Sequence, residues 1–196
     1  MLLLGFILHP NIFSFDIITN ATEWAEEWHG NFLFHFGHLL VLFAVPLIIV
    51  TSIYFMSLLK RNGIWYGFIG GVLGVFGAFM LAVDKGALTL VLTAFQTLSD
   101  EQFINILPAL QSLLDKAGWL WITWMFLFLP IGFILQTIGL IKEKIIPKWQ
   151  GMCIIIGLLL LINPDIEIIS TVGAALMCIG FIPMGIRELK GTLKQN

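Results

Sequence analysis

Long apolar runs separated by short polar segments dominate the chain, and five of them have the pattern of membrane-spanning helices. The runs cover residues 35–59, 64–83, 119–141, 149–163 and 166–186. Most approach the roughly 20 apolar residues that an α-helix needs to cross a bilayer, and none alternates as barrel strands do. The pattern therefore predicts an all-α polytopic transmembrane helix bundle of about five spans, forming a single membrane domain over 1–196.

Three segments depart from this simple pattern. The fourth run is short for a span, because an Asn-Pro-Asp turn at 163–165 ends it. Residues 84–98 are apolar but follow the second span directly, so they either continue that helix or form a half-helix packed on the bundle. Residues 1–34 begin with an apolar stretch that is too short to span, and we expect them to lie outside the membrane.

An amphipathic helix is predicted over 99–117, between the second and third spans. Ser99 followed by Gln102 fits the capping box that begins many helices. Apolar side chains recur at helical spacing from Phe103 to Leu114, with acidic and amide side chains between them. The segment is expected to lie on the outer membrane surface, as a structural lid or as a docking helix for a partner.

Composition and charge support a membrane location and an orientation. The chain is 59% hydrophobic and only 11% charged, against about 25% charged residues in soluble domains. Eight of the ten basic residues fall on one side of the predicted membrane: Lys60, Arg61, Lys142, Lys144, Lys148, Arg187, Lys190 and Lys194. The other side holds all four histidines and most acidic residues, including Asp16, Asp165 and Glu167. The positive-inside rule therefore predicts a cytoplasmic (plasma) membrane protein with its N-terminus outside and its C-terminus in the cytoplasm.

Closely spaced glycines mark one face of the second span. Gly67, Gly70, Gly71 and Gly74 form two overlapping small-x-x-x-small patterns. Missing side chains let a second helix backbone approach closely, which is a main packing device in lipid. The face is expected to pack within the bundle, or to join a homodimer or a membrane protein partner.

Histidines and acidic residues before the first span raise the possibility of a metal site. If one helix runs from about residue 21 through that span, Glu27, His35 and His38 fall within about 80° on one face. Asp84, at the end of the second span, could supply an oxygen at similar depth, and zinc accepts such nitrogen and oxygen ligands. The alternatives are a polar helix end at the headgroup zone and a pH-responsive contact. Haem is disfavoured because every histidine precedes residue 39.

Motifs for catalysis and active transport are absent from the sequence. There is no G-x-S-x-G, P-loop or dinucleotide fingerprint. The predicted span cores lack the paired ionisable groups that proton relays and ion-coupled transporters place inside the membrane. The first observation favours a non-enzymatic protein, and the second disfavours an active transporter.

The C-terminal quarter of the chain contains a short motif. Pro147, Trp149 and Gly151 form a P-x-W-x-G loop before the last two spans, and Gly185 and Arg187 end the final span. This C-terminal quarter resembles small bacterial multi-pass membrane proteins with a cytoplasmic loop of this kind. The resemblance implies a bacterial plasma-membrane location and no particular activity.

The sequence thus predicts a non-enzymatic accessory, sensory or protective component of the cytoplasmic membrane. A metal-binding membrane enzyme with an outer-face histidine and carboxylate site is the first alternative, and a passive small-solute conduit is the second. No cofactor is predicted, apart from zinc or another divalent metal under the first alternative. The expected partners are the lipid bilayer and a second copy or another membrane protein, with no nucleic acid.

Overall fold

The computed structural model describes residues 1–9, 13, 15, 17–162 and 166–191, and the regular secondary structure within these ranges is entirely helical. The prediction of an all-α bundle is therefore confirmed. The predicted turn at 163–165, together with Asp16, Asp165 and Lys194, lies outside the described residues.

Eight α-helices and one 3₁₀ helix follow one another in the described part of the chain. In order they are α1 (Leu2–Ile7), α2 (Ala21–Trp28), α3 (Phe32–Leu58), α4 (Ile64–Phe95), α5 (Asp100–Leu114), the 3₁₀ helix (Gly118–Leu127), α6 (Phe128–Lys142), α7 (Lys148–Leu160) and α8 (Glu167–Leu189).

Four helical stretches are long and apolar enough to cross a membrane: α3, α4, the 3₁₀ helix with α6, and α8. Helix α7 is apolar but has 13 residues, which give about 20 Å against a hydrocarbon core of about 30 Å. The short fourth run of the sequence is thus a short helix. It packs antiparallel to α8, and close contacts between Gly157 and Gly173 mark their crossing.

Helix α4 contains most of the apolar stretch 84–98. It continues without a break to Phe95, so this apolar stretch is an extension of the second span and not a separate half-helix. Its 32 residues reach about 48 Å, well beyond the thickness of a hydrocarbon core.

The expectation of one continuous helix from residue 21 through the first span is wrong. Helix α2 ends at Trp28, and Gly30 takes a left-handed conformation with φ of 69° that separates it from α3. Asn31 then begins α3 anew, because its side-chain oxygen accepts the N–H groups of Leu33 and Phe34. Glu27 therefore lies on a different helix from the histidines with which it was expected to share a face.

The amphipathic helix is present as α5, and its capping box between Ser99 and Gln102 is confirmed. Its apolar face buries Leu110 against Trp28 of α2 and Leu92 of the α4 extension. The side-chain oxygen of Gln111 accepts the main-chain N–H of Ala21 at 2.7 Å, which ties the two short helices together. Helices α2 and α5 therefore form one small unit at the far end of α4.

The glycine face of α4 packs against α3 and α6 of the same chain. Gly70 and Gly74 lie against Gly132 of α6 so closely that a Cβ on any of the three would collide with a neighbour. Nearby, Gln136 is fully buried and donates from its amide nitrogen to the main-chain oxygen of Ser52 at 2.9 Å. These contacts hold the α3, α4 and α6 backbones together. A homodimer of the chain stays a prediction.

The two ends of the bundle differ in their polar residues. The histidine end is the end at which His9, His35 and His38 lie, beside the start of α8. The basic end is the opposite end, at which Lys60, Arg61, Lys142, Lys148 and Arg187 lie.

Candidate functional site

An apolar groove runs through the bundle. It has a volume of about 730 Å³ and is lined mainly by α1, α3, α6 and α8. Ligand pockets in proteins typically measure about 300–1,000 Å³, so the groove is large enough to hold a bound molecule. Helix α1 contacts both α3 and α8 and lies across the groove between them.

The groove follows most of the length of the last helix. Its lining on α8 extends from Glu167 to Leu189, a rise of about 33 Å at 1.5 Å per residue. Between these ends the walls are apolar, with Val41 and Ala44 of α3 facing the groove together with Phe133 of α6. Such walls accept a hydrocarbon chain and offer little stabilisation to an ion.

The histidine end of the groove is polar and charged. The His9 ring nitrogen Nδ1 lies 2.7 Å from Glu167 Oε1, which joins α1 to the first turn of α8. Despite this short distance, the contact does not meet the geometry of a hydrogen bond. The His38 ring lies 5.4 Å from the His9 ring, and its Nδ1 is 3.0 Å from the main-chain oxygen of Phe34.

A buried carboxylate completes this end of the groove. The Asp84 residue is only 4% exposed and lies 21 positions into α4. Lys116 donates to Asp84 Oδ1 at 2.5 Å, and the Lys85 ammonium lies 3.5 Å from Oδ2. One carboxylate thus faces two ammonium groups, which compensates the cost of burying its charge.

Close backbone approach seats α1 on α3. A Cβ on Gly5 would fall 3.1 Å from the Gly37 oxygen, and one on Gly37 would fall 2.9 Å from the Gly5 oxygen. The two glycines therefore let a six-residue apolar helix lie directly on the first long helix, where it closes the side of the groove.

The four residues that the sequence suggested for a metal site lie in different settings. His35 contacts Gln96 and the main-chain oxygen of Trp28, the latter at 3.2 Å, while His38 lines the groove. Asp84 faces its two lysines, and Glu27 lies in the last turn of α2. Within the described ranges, no three His, Cys, Asp or Glu side chains form a group that could hold a metal ion. Zinc binding stays a prediction of the sequence.

Sequence reasoning missed three members of the charged end. His9 lies in the predicted outer segment 1–34, Lys116 in the amphipathic segment 99–117, and Glu167 on the predicted outer side of the membrane. No local motif links them, because they lie on three elements that meet only when the bundle forms. The adjacent acid and base Asp84 and Lys85, which follow an apolar run, were the available signal.

The fold and the groove define a multi-pass helical membrane protein. No protein-family model, curated protein or solved structure matches the chain. The resemblance of the C-terminal quarter to small bacterial membrane proteins therefore stays a prediction.

Proposed function

We propose that this chain is a non-enzymatic integral protein of the cytoplasmic membrane that holds one lipid-like amphiphile in its groove. This specifies the accessory, sensory or protective role that the sequence predicts. The observation that carries the proposal is the shape and chemistry of the groove: mainly apolar walls along α3 and α8, and side chains of both charges, Asp84, Lys85 and Glu167, at the histidine end. An amphiphile has the same division between an apolar chain and a polar headgroup.

The charge distribution supports an orientation for this protein. The basic end carries Lys60, Arg61, Lys142, Lys148 and Arg187, which favours the cytoplasmic side. The histidine end would then face outward, with α2 and α5 above the membrane. In that orientation the amphiphile places its headgroup at the outer membrane surface.

The position of the groove supports a ligand taken from the bilayer. Helix α1 is short and rests on α3 through its glycine contact, so its displacement would open the groove to lipid without unfolding a span. The tail of a lipid loses little on moving from bilayer to groove, because both surroundings are apolar. Affinity would therefore depend on packing along the walls and on polar contacts at the histidine end.

Filling the groove tests the proposal directly. Cys178 lines the groove on α8, whereas its neighbour Ile179 is 53% exposed and points away from it. We expect Cys178→Trp to reduce the binding of a phospholipid to the detergent-purified chain, as measured by native mass spectrometry. Ile179→Trp is the matched control and should bind as the wild type does. Equal binding by the two variants would contradict the proposal.

A passive small-solute conduit is the second candidate, because the groove lining reaches both ends of α8. Tyr54 and Glu188 line the basic end, so polar groups are present at each mouth. Flux of small uncharged solutes into proteoliposomes would support this function. The apolar walls favour the lipid over the solute, since a polar solute gains few contacts along them.

The metal-binding enzyme that the sequence allows has its own test. Metal analysis of the purified chain beside a His35→Ala/His38→Ala double variant would detect it. Stoichiometric zinc in the wild type that is lost in the variant would support that function instead.

A further inference from the structure

One carboxylate oxygen at the histidine end has no donor within the described chain. Glu167 Oε1 is taken by the contact with His9, but Oε2 is buried and has no hydrogen-bond partner among the described residues. Leaving a buried acceptor unpaired is costly, and more so when it is charged. A donor supplied by a bound molecule would remove that cost.

Lys85, a cation at the same end, has N–H donors that its contact with Asp84 does not use. The Lys85 ammonium lies 3.5 Å from Asp84 Oδ2, whereas Lys116 donates to Oδ1 at 2.5 Å. The Lys85 contact is longer than the roughly 2.7–2.9 Å of a strong charged hydrogen bond. An ammonium group has three donors. Lys85 also lines the groove, so it can donate to an acceptor bound there.

The two groups belong to one site. Glu167 contacts His9, the His9 ring lies 5.4 Å from the His38 ring, and Lys85 lines the same groove as these three residues. The basic end of the groove differs, because Glu188 is the charged residue that lines it among those described. Opposite charges that can both meet a headgroup are therefore found at the histidine end.

We propose that the histidine end recognises a zwitterionic phospholipid headgroup that carries a primary ammonium, as in phosphatidylethanolamine. A rotation of the Glu167 side chain presents Oε2 to the groove that this residue lines, where the ammonium donates to it, and the phosphate accepts from Lys85. This inference rests on the proposed function, because it names the headgroup of the lipid held in the groove.

Other phospholipid headgroups match this end less well. Phosphatidylglycerol presents a phosphate but no ammonium, so Glu167 Oε2 would stay unpaired beside an added negative charge. Phosphatidylcholine is zwitterionic, but its quaternary ammonium has no N–H to donate. A comparison of the three lipids with identical acyl chains therefore isolates the primary ammonium.

Native mass spectrometry of the full chain in detergent, with equal amounts of the three palmitoyl-oleoyl lipids, tests the inference. We expect phosphatidylethanolamine to bind about tenfold more tightly than the other two, which is the effect of one hydrogen bond to a charged group. Glu167→Gln should abolish this preference while lipid still binds. Glu188→Gln, which changes the same residue type at the other end of α8, should retain it.

Lys85→Gln provides a second variant that leaves the Glu167 contact with His9 in place. It should weaken all three phospholipids, because each of them carries the phosphate. Wild-type binding of the three lipids with equal affinity would overturn the headgroup inference and leave the proposed function standing. Absence of lipid binding by the wild type would overturn both.

Discussion

The crossing of α4 and α6 can be tested by adding a single methyl group. In Gly132→Ala, the new Cβ would lie 2.5 Å from the Gly70 oxygen and 2.7 Å from the Gly74 Cα. These neighbours are main-chain atoms, which cannot rotate aside as a flexible side chain can. The two helices must therefore move apart, and the contacts along their shared face become looser.

The expected cost follows from two opposing effects. Overpacking a well-packed interior costs about 1–3 kcal/mol, and collision with backbone on a second helix favours the upper part of that range. Alanine is preferred over glycine inside a helix by about 1 kcal/mol, which offsets part of the loss. Gly132→Ala should therefore lower the free energy of unfolding by about 2 kcal/mol.

Gly86→Ala is the matched control, because it lies in α4 and a Cβ there would meet nothing within 4 Å. It should leave stability unchanged or raise it by up to about 1 kcal/mol. Both variants can be measured by reversible unfolding of the full chain in mixed detergent micelles, followed by circular dichroism. If Gly132→Ala were as stable as Gly86→Ala, the close α4–α6 crossing would be refuted.

Four further substitutions test other parts of the molecule. Lys116→Ala should lower the free energy of unfolding by about 1–3 kcal/mol. This is less than the usual loss of about 3–5 kcal/mol on breaking a buried ion pair, because Lys85 remains beside Asp84. Asp84→Asn should lower the free energy of unfolding by less than Lys116→Ala does. The same unfolding assay compares them, and the reverse order would contradict the buried pair. Gly37→Leu should displace α1 and speed maleimide labelling of Cys178 in the groove, whereas an unchanged rate would argue against α1 as its cover. Ser99→Ala should weaken the start of α5 by about 1 kcal/mol, seen as faster amide exchange in α5 alone.

Features that depend on local pattern could be predicted from the sequence. The all-α fold, the long apolar helices and the shortness of the fourth run follow from runs of apolar residues. The capping box at Ser99 is likewise local, because it needs only two side chains three positions apart. The glycine pattern is also local, since missing side chains are visible in any sequence, and these glycines lie where α4 closely approaches α3 and α6.

Predictions that depended on a change in chain direction, or on a partner distant in sequence, were less successful. The helix expected from residue 21 onward is broken at Gly30, where a single left-handed residue turns the chain. Helical periodicity cannot detect such a turn, because residues on both sides of it continue to favour helix. Because the helix is broken there, Glu27 and the two histidines do not share one helix face.

The sequence by itself determined the all-α class and the positions of the long apolar helices, because apolar length and local capping act within one segment of chain. Only the tertiary structure decided where polar groups meet. His9, Glu167, Asp84 and Lys116 come from four separate segments and gather at one end of the groove through helix packing. A buried charge must find its partner in space, and sequence spacing does not specify which of several distant charges will be near.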